Sequence, residues 1–276
     1  MRRTYFFLQV MAGILAGISA CAQPVQPPLV MTTDTPDTVR SMAERIIIAG
    51  NALLGEPYQY NTLDTGNEEY LVVNLDAFDC VTFVETAFAR ALAGGDTSAT
   101  VFRFYLQQCR YRDGNIEGYA SRLHYFSDWL YEQERQGRLQ ILTDSLHGIP
   151  LLQPVNYMSV HRKSYPRLEE ESAFRAILEV EKQINLRTMY YIPKNQPAAI
   201  EKMIREGDII AITSSIRGLD ISHSGFAIRQ GGRIHLLHAS SEHHRVMITA
   251  EPLTEYLMKN KLQTGVMVGR VISYKG

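Results

Sequence analysis

Two residue types in this chain are placed to act on a carbonyl group: a cysteine at the start of a helix and several histidines on a hairpin. Cys80 follows Asp79 and precedes Val81-Thr82-Phe83-Val84-Glu85. Val81, Val84, Phe88 and Leu92 recur at helical spacing and Gly94-Gly95 ends the run, which predicts a helix over 79–93 capped by Asp79. A thiol in the first turn of a helix meets free N–H groups and the positive end of the dipole. With a histidine nearby, such a site lowers a thiol pKa from about 8.5 into roughly the 3.5–7.5 range, so a thiolate is expected. The N–H of Cys80 itself would point out of the helix end, towards an oxyanion. The competing reading of Cys80 is a small buried hydrophobe. Cys109 shares an apolar stripe with Phe102 and Leu106 and reads as a core thiol. A structural disulfide between Cys80 and Cys109 is the alternative in an oxidising compartment.

A cysteine nucleophile needs a base and a group to orient that base. His223 lies in Ser222-His223-Ser224-Gly225 and His238 in Leu237-His238-Ala239-Ser240, either side of a Gly231-Gly232 hairpin signal. If paired residue numbers sum to an odd value, as with a tight Gln230-Gly231 turn, His223 and His238 share a face. A one-residue slip brings His235 there instead. His238 is therefore the preferred third member and His235 the reserve. A zinc hydrolase using Asp220, His223, His235 and His238 is a rival, but no HxxEH pattern is present and Cys80 would be idle. The expectation is a site with no metal and no cofactor. A catalytically inert binding lipoprotein is a rival from another class.

The elements that must hold these groups follow from the rest of the pattern. Of 276 residues, 45% are hydrophobic and 21% charged, as in an ordinary globular domain. A net charge of −1 gives no electrostatic reason for a nucleic-acid partner. Thr35-Pro36 reads as a helix start, with Val39, Met42, Ile46 and Leu53 on one face and Gly55 as its end. Helices are also predicted near 97–111 and 121–136, and another opens at Glu169-Glu170-Glu171 with Phe174, Ile177, Leu178 and Ile184 on its apolar face. Residues 70–75 have strand-like composition. From Gly207-Asp208 onward the period shortens, giving strands near 209–212, 224–229, 233–237, 245–248 and 266–272. Helices first and an antiparallel sheet second argue for an α+β fold in one domain, 36–276. Ahead of it, Arg2 and Arg3 precede an apolar run over 5–18 that ends in Ile18-Ser19-Ala20-Cys21. That organisation is a secretory signal over 1–20, and it resembles a bacterial lipobox, which implies lipidation of Cys21. A Pro-rich tether over 21–35 would then hang the domain from a membrane, in the cell envelope on the periplasmic side or at the outer membrane.

Gly55-Glu56-Pro57-Tyr58, Phe78-Asp79-Cys80, Gly207-Asp208-Ile209-Ile210, His223-Ser224-Gly225-Phe226 and Leu237-His238-Ala239-Ser240 resemble, in order, the signature of NlpC-type cell-wall cysteine peptidases. Val81-Thr82-Phe83 replaces the usual small residues after the cysteine, and the span between Cys80 and His223 is longer than in a minimal domain. Both departures are shared by the N-acetylmuramoyl-L-alanine amidase-like family. Arg110-Tyr111-Arg112-Asp113-Gly114, Ser121-Arg122-Leu123-His124-Tyr125-Phe126-Ser127-Asp128-Trp129 and Gly218-Leu219-Asp220-Ile221-Ser222-His223 are similar to that family. The resemblance implies a papain-like core with a long helical insertion. It also implies cleavage between the muramic acid lactyl group and L-Ala in peptidoglycan fragments, with a preference for 1,6-anhydro-muropeptides. Carried over, Cys80 is the nucleophile, His223 the base, His238 its orienter and Tyr58 a hydroxyl that helps hold the oxyanion. On a 121–136 helix, Leu123, Phe126 and Leu130 would be buried and His124, Tyr125 and Asp128 would face a sugar ring. Arg110, Arg112 and Arg122 would meet a peptide carboxylate. Asp220 and Ser222, just ahead of His223, complete the substrate-contact set. The nearest rival is a γ-D-glutamyl-diamino acid endopeptidase of the same fold.

Overall fold

The computed structural model describes residues 40–64, 66, 68–196 and 201–272. The apolar run, Cys21, the tether and the Thr35-Pro36 start lie outside these. The first described helix, α1 (Met42–Asn51), begins at a Ser41–Glu44 capping box, in which each side chain bonds the other residue's backbone N–H. The helix that carries the cysteine, α2 (Cys80–Ala93), is capped by Asp79. The Asp79 carboxylate accepts the N–H groups of Val81 at 3.0 Å and Thr82 at 2.8 Å, and Thr82 Oγ1 accepts the Asp79 N–H at 2.9 Å. Then come α3 (Ala99–Arg110), capped by Ser98, and α4 (Phe126–Arg135).

The expected 121–136 helix starts five residues late. Arg122 and Tyr125 are extended, because Tyr111 and Arg122 form a β-bridge and Leu123 N–H donates to the Arg110 carbonyl at the end of α3. Residues 70–75 form no strand. The insertion continues through β1 (Leu139–Ile141), β2 (Ile149–Pro150), a single turn α5 (Tyr157–Val160), α6 (Glu171–Asn185) and β3 (Tyr190–Pro193). On α6, Ile177 and Ile184 are buried as expected while Leu178 is exposed.

The sheet is then laid down by β4 (Ile209–Ser214), β5 (Ile221–Gln230), β6 (Arg233–Ser240) and β7 (Arg245–Ile248), followed by α7 (Leu253–Lys259) and β8 (Gln263–Val271). Its order is β2-β3-β8-β4-β5-β6-β7, every pair is antiparallel, and β1 also pairs with β8. The fold is α+β, as the sequence predicts. Central β4 is buried along its whole length, which explains why it reads as a continuous apolar run.

In the β5–β6 hairpin, Gln230 pairs with Arg233 and Phe226 with Leu237. The two-residue loop is Gly231-Gly232, with φ of 56° and 82°. Positive φ at both loop positions is the condition for a type I′ turn, which glycine meets without strain. Paired numbers sum to an odd value, so the register is the one that puts His223 and His238 on one face.

One face of the sheet packs on α1, α2 and α3 through Phe83, Phe88, Phe226 and Leu237; the other packs on α7 through Leu253 and Leu257. The insertion has its own apolar cluster around Tyr125, Val155, Leu168 and Ile177. Within the helical layer a charge is buried: Arg110 Nε donates to Glu85 at 2.6 Å and its Nη1 to the Val72 carbonyl at 2.5 Å. Burial raises the Glu85 pKa, with Arg110 opposing. Removing one partner of such a pair strands the other charge and typically costs about 3–5 kcal/mol. Glu85→Ala should therefore lose about that much stability in urea unfolding and Glu85→Gln clearly less; equal, small effects from both would show that the pair is solvated.

Candidate active site

Cys80 is the first residue of α2, half-buried, and it lines the same cleft as His223, an opening of about 140 Å³. His223 comes from β5 and His238 from β6. Their rings stand at 89° to each other, with His223 Nε2 and His238 Nδ1 only 2.6 Å apart. His235 points to the other face, where its Nδ1 bonds the Thr249 carbonyl at 2.8 Å. The ligand set proposed for zinc is thus split across the sheet, and no group of three or more His, Cys, Asp or Glu among the described residues is arranged to hold a metal. Both Cys80 and Cys109 are free thiols, so the disulfide alternative fails; Cys109 is fully buried in the helical core.

A residue that sequence reasoning missed ties the helix to the sheet. Ser224 Oγ donates to the Cys80 carbonyl at 2.9 Å. The Ser224 N–H and hydroxyl, with the N–H of Cys80, also favour charge on the sulfur, but burial and the adjacent Asp79 carboxylate outweigh them and push the thiol up to about 12. Burial pushes His223 down to about 4 and, with His223 and His243 nearby, His238 to about 2. All three groups rest neutral near pH 7. These shifts run against the preformed thiolate that the sequence predicts: burial first and the Asp79 carboxylate second outweigh the N–H groups still directed at the sulfur.

Tyr58 sits beside the cysteine through a parallel bridge to Phe78, and its ring packs edge-on to Tyr60 at 4.7 Å. Burial and the neighbouring Cys80 hold its hydroxyl well above the usual tyrosine pKa, so it stays protonated and able to donate. With Nε2 of His223 engaged by His238, Nδ1 is the ring nitrogen left to take a proton. In that tautomer His223 Nε2–H donates to His238 Nδ1.

The substrate-contact set divides. His124, Tyr125, Asp220 and Ser222 line the cleft with Cys80 and His223. His124 Nε2 lies 2.7 Å from the Tyr119 carbonyl, and burial holds its ring neutral, down to about 3. Tyr125 Oη donates to Glu181 at 2.7 Å and accepts the Met158 N–H at 2.8 Å. Asp220 is buried, with a raised pKa, and accepts the Ser127 N–H at 2.9 Å, which caps α4 from a distance. Ser222 Oγ donates to the Ile212 carbonyl at 3.3 Å.

Arg112 and Asp128 do not line the cleft. Asp128 accepts from Arg112 at 2.7 Å and from Arg187 at 2.5 Å, which pins α4 to its neighbours instead of presenting either group to substrate. Arg110 and Arg122 are likewise committed, Arg110 to Glu85 and Arg122 to Asp64 at 2.5 Å. In their place Tyr157, Met158 and Tyr165 line the wall. They lie in an aperiodic stretch that gives no sequence signal beyond its aromatic content. A larger groove of about 580 Å³ between α1 and α3 contains none of these groups.

This arrangement has relatives. The AmiA-like model, N-acetylmuramoyl-L-alanine amidase-like, matches residues 48–266. The structure of an N-acetylmuramoyl-L-alanine amidase from Bacteroides uniformis is 34% identical over 84% of this chain and 99% of its own, with a TM-score of 0.80. A Bacteroides fragilis structure named as a xylanase is 37% identical over 81% of this chain and 100% of its own, with a TM-score of 0.77. A Legionella pneumophila protein of the DUF1460 model, 23% identical over 86% of this chain and 91% of its own with a TM-score of 0.67, shares the fold. No curated protein matches. The family match takes in Tyr58, Cys80, His223 and His238 together, and on that ground the chain belongs to the N-acetylmuramoyl-L-alanine amidase-like family.

Proposed function

We propose that this protein is a cysteine-dependent peptidoglycan amidase that cuts between the muramic acid lactyl carbonyl and L-Ala, preferring 1,6-anhydro-muropeptides, with Cys80, His223 and His238 as its catalytic groups. The observation that carries the reading is the 2.6 Å imidazole pair whose His223 member lines the cleft that holds Cys80. Attack forms the Cys80 Sγ–C bond at the lactyl carbonyl while the thiol proton passes to His223 Nδ1. The oxyanion accepts from the Cys80 N–H and from Tyr58 Oη, and His238 Nδ1 accepts from the imidazolium. The imidazolium then gives its proton to the leaving L-Ala nitrogen as the C–N bond breaks, leaving a thioester. His223 deprotonates a water that attacks this thioester, and the proton returns to the departing sulfur, releasing the muramic acid carboxylate. No step needs a cofactor.

The xylanase name of one relative suggests glycoside cleavage, which ordinarily uses two carboxylates about 5–9.5 Å apart. Among the described residues lining this cleft Asp220 is the only carboxyl, and it is spent on capping α4. That favours the amide over the glycosidic bond. We further propose that residues 1–20 are removed, that Cys21 carries lipid and that residues 21–35 tether the domain 36–276 within the cell envelope. Incorporation of labelled palmitate that Cys21→Ala abolishes supports the anchor, and equal labelling of both chains rejects it.

Mass spectrometry of digested muropeptides tests the bond. Free saccharide plus an intact stem peptide is expected, faster from 1,6-anhydro than from reducing fragments, whereas L-Ala-D-Glu retained on the sugar would indicate the endopeptidase. Cys80→Ala and His223→Ala should each lower kcat roughly 10³-fold or more, and the double variant should be no slower than either, as for groups that act as one unit.

The resting charge state gives a separate test. A base must be unprotonated to act, so with His223 held near 4 the acid limb of kcat/KM should fall near pH 4 instead of the usual 6.5. With the thiol near 12, alkylation of Cys80 by iodoacetamide should keep accelerating between pH 6 and 9. A plateau in alkylation below pH 7 would mean a thiolate–imidazolium pair instead.

A further inference from the structure

The His223–His238 pair has a third neighbour outside the cleft. Tyr256, on α7, places its ring centroid 5.5 Å from that of His238 at 70° and 6.5 Å from that of His223 at 40°. Those separations lie within the range of aromatic contact. The helix that presents it is anchored by Leu253 and Leu257 in the apolar cluster behind the sheet, and Tyr256 joins the margin of that cluster. His238 is 1% exposed, and its Nε2 is buried with no hydrogen-bond partner among the described residues. For His223 to act through Nδ1, His238 must carry its proton on that unpartnered Nε2. The tautomer is therefore not fixed by a hydrogen bond from Nε2–H to a carboxylate or carbonyl at the far end, as imidazole relays commonly are.

We infer that Tyr256 is a positioning residue: its ring closes the outer side of the imidazole pair, excludes water from His238 Nε2 and so holds His238 Nδ1 as the acceptor for His223. The packing does by exclusion what a third polar group would do by bonding. Water at Nε2 would let His238 turn or protonate, and His223 would lose its fixed orientation. This deepens the Cys-His-His reading and rests on it for the kinetic consequences, but not for the state of the rings.

Groups facing the assembly are Cys80 and Asp79 on α2, Tyr58 beside them, His243 and Glu242 in the β6–β7 turn, and Glu251 ahead of α7. The Tyr256 hydroxyl also has a side-chain hydrogen bond with Gln263; Tyr256→Phe removes that bond and keeps the ring, so a shift seen in Tyr256→Leu and Tyr256→Met but not in Tyr256→Phe reports the ring.

The test compares Tyr256→Phe, which keeps the ring, with Tyr256→Leu and Tyr256→Met, which remove it but keep apolar bulk, all in the full chain. Imidazole ¹⁵N resonances are followed from pH 4 to 9 and kcat/KM is measured over the same range on anhydro-muropeptide. Wild type and Tyr256→Phe should show the pair neutral, in one tautomer, down to at least pH 5. In Tyr256→Leu or Tyr256→Met the pair should titrate at least one pH unit higher. The acid limb should move with it, and kcat should fall about tenfold or more with KM within twofold. Ring titration like wild type in whichever variant melts as a folded protein overturns the inference, as does a loss of activity with no change in tautomer or pH profile. If wild type cleaves no muropeptide, the amidase reading fails, while the resonances still decide the role of Tyr256.

Discussion

The site depends on one short contact between a helix and a strand, Ser224 Oγ donating to the Cys80 carbonyl at 2.9 Å. It fixes the first turn of α2 against β5 at the residue next to His223. Side chains alternate along a strand, so Ser224 reaches the helix because His223 points to the opposite face, towards His238. A slip of one residue in β5 would exchange them, taking the base from the cleft and the tie from the helix together. The register is in turn set by the Gly231-Gly232 turn, at the far end of the hairpin from the cysteine. α2 cannot move to follow a slipped strand, because Phe83, Val84, Ala87 and Phe88 are packed without exposure.

The same packing explains the electrostatics. Desolvation acts on thiol and imidazole in the same sense, against charge on either, and raises one pKa while lowering the other. A thiolate at a helix terminus needs N–H groups that are still free. Here Asp79 takes those of Val81 and Thr82. The cap that starts the helix, and so places Cys80, also removes much of the positive potential that would have ionised it. In the mechanism we propose, charge would develop only during attack, with the N–H of Cys80, the protonated Tyr58 hydroxyl and the His238 ring to receive it. Donors set for a transition state favour the reaction without stabilising the resting state.

The sequence made the catalytic elements legible because each carries a local rule. Asp79 at the cap marks the start of α2, Gly94-Gly95 marks its end, and adjacent glycines mark the hairpin. The glycines located the hairpin but not its register, which the sequence left open between His238 and His235; the Gln230–Arg233 pairing around Gly231-Gly232 decides it for His238. Legibility ended where the chain is held by long-range contacts. The 121–136 segment has helical periodicity, yet residues 122–125 are extended because Leu123 N–H is claimed by the Arg110 carbonyl. Arg112, Arg122 and Asp128 looked available for substrate because charged side chains are usually solvated. Arg112 pairs with Asp128 16 residues on, and the partners of Arg122 and Asp128, Asp64 and Arg187, lie 58 and 59 residues away, beyond any local pattern. Tyr157 and Tyr165 had no periodic context to mark them, and β1 to β3 are too short to read.

Those long-range ties assign the insertion a different role from the one its residue types suggest. Asp220 holds the N-terminus of α4 at the edge of the cleft, Tyr125 bridges Glu181 and the Met158 N–H, and Asp128 joins Arg112 to Arg187. Each of these polar groups is consumed in building a wall; none is left to recognise a charged ligand. What the wall presents to the cleft is mainly ring and thioether surface from Tyr125, Phe126, Tyr157, Met158 and Tyr165. A surface of that kind selects by shape and by the apolar face of a ring more than by charge. Rigid support behind it makes the selection sharp, because a wall fixed by buried ion pairs and capped helices cannot adapt to a second shape without breaking them. The register of one hairpin thus sets the imidazole pair, while a separate set of buried polar contacts sets the wall of the cleft, and on the proposed reading the first would govern the chemistry and the second the selectivity.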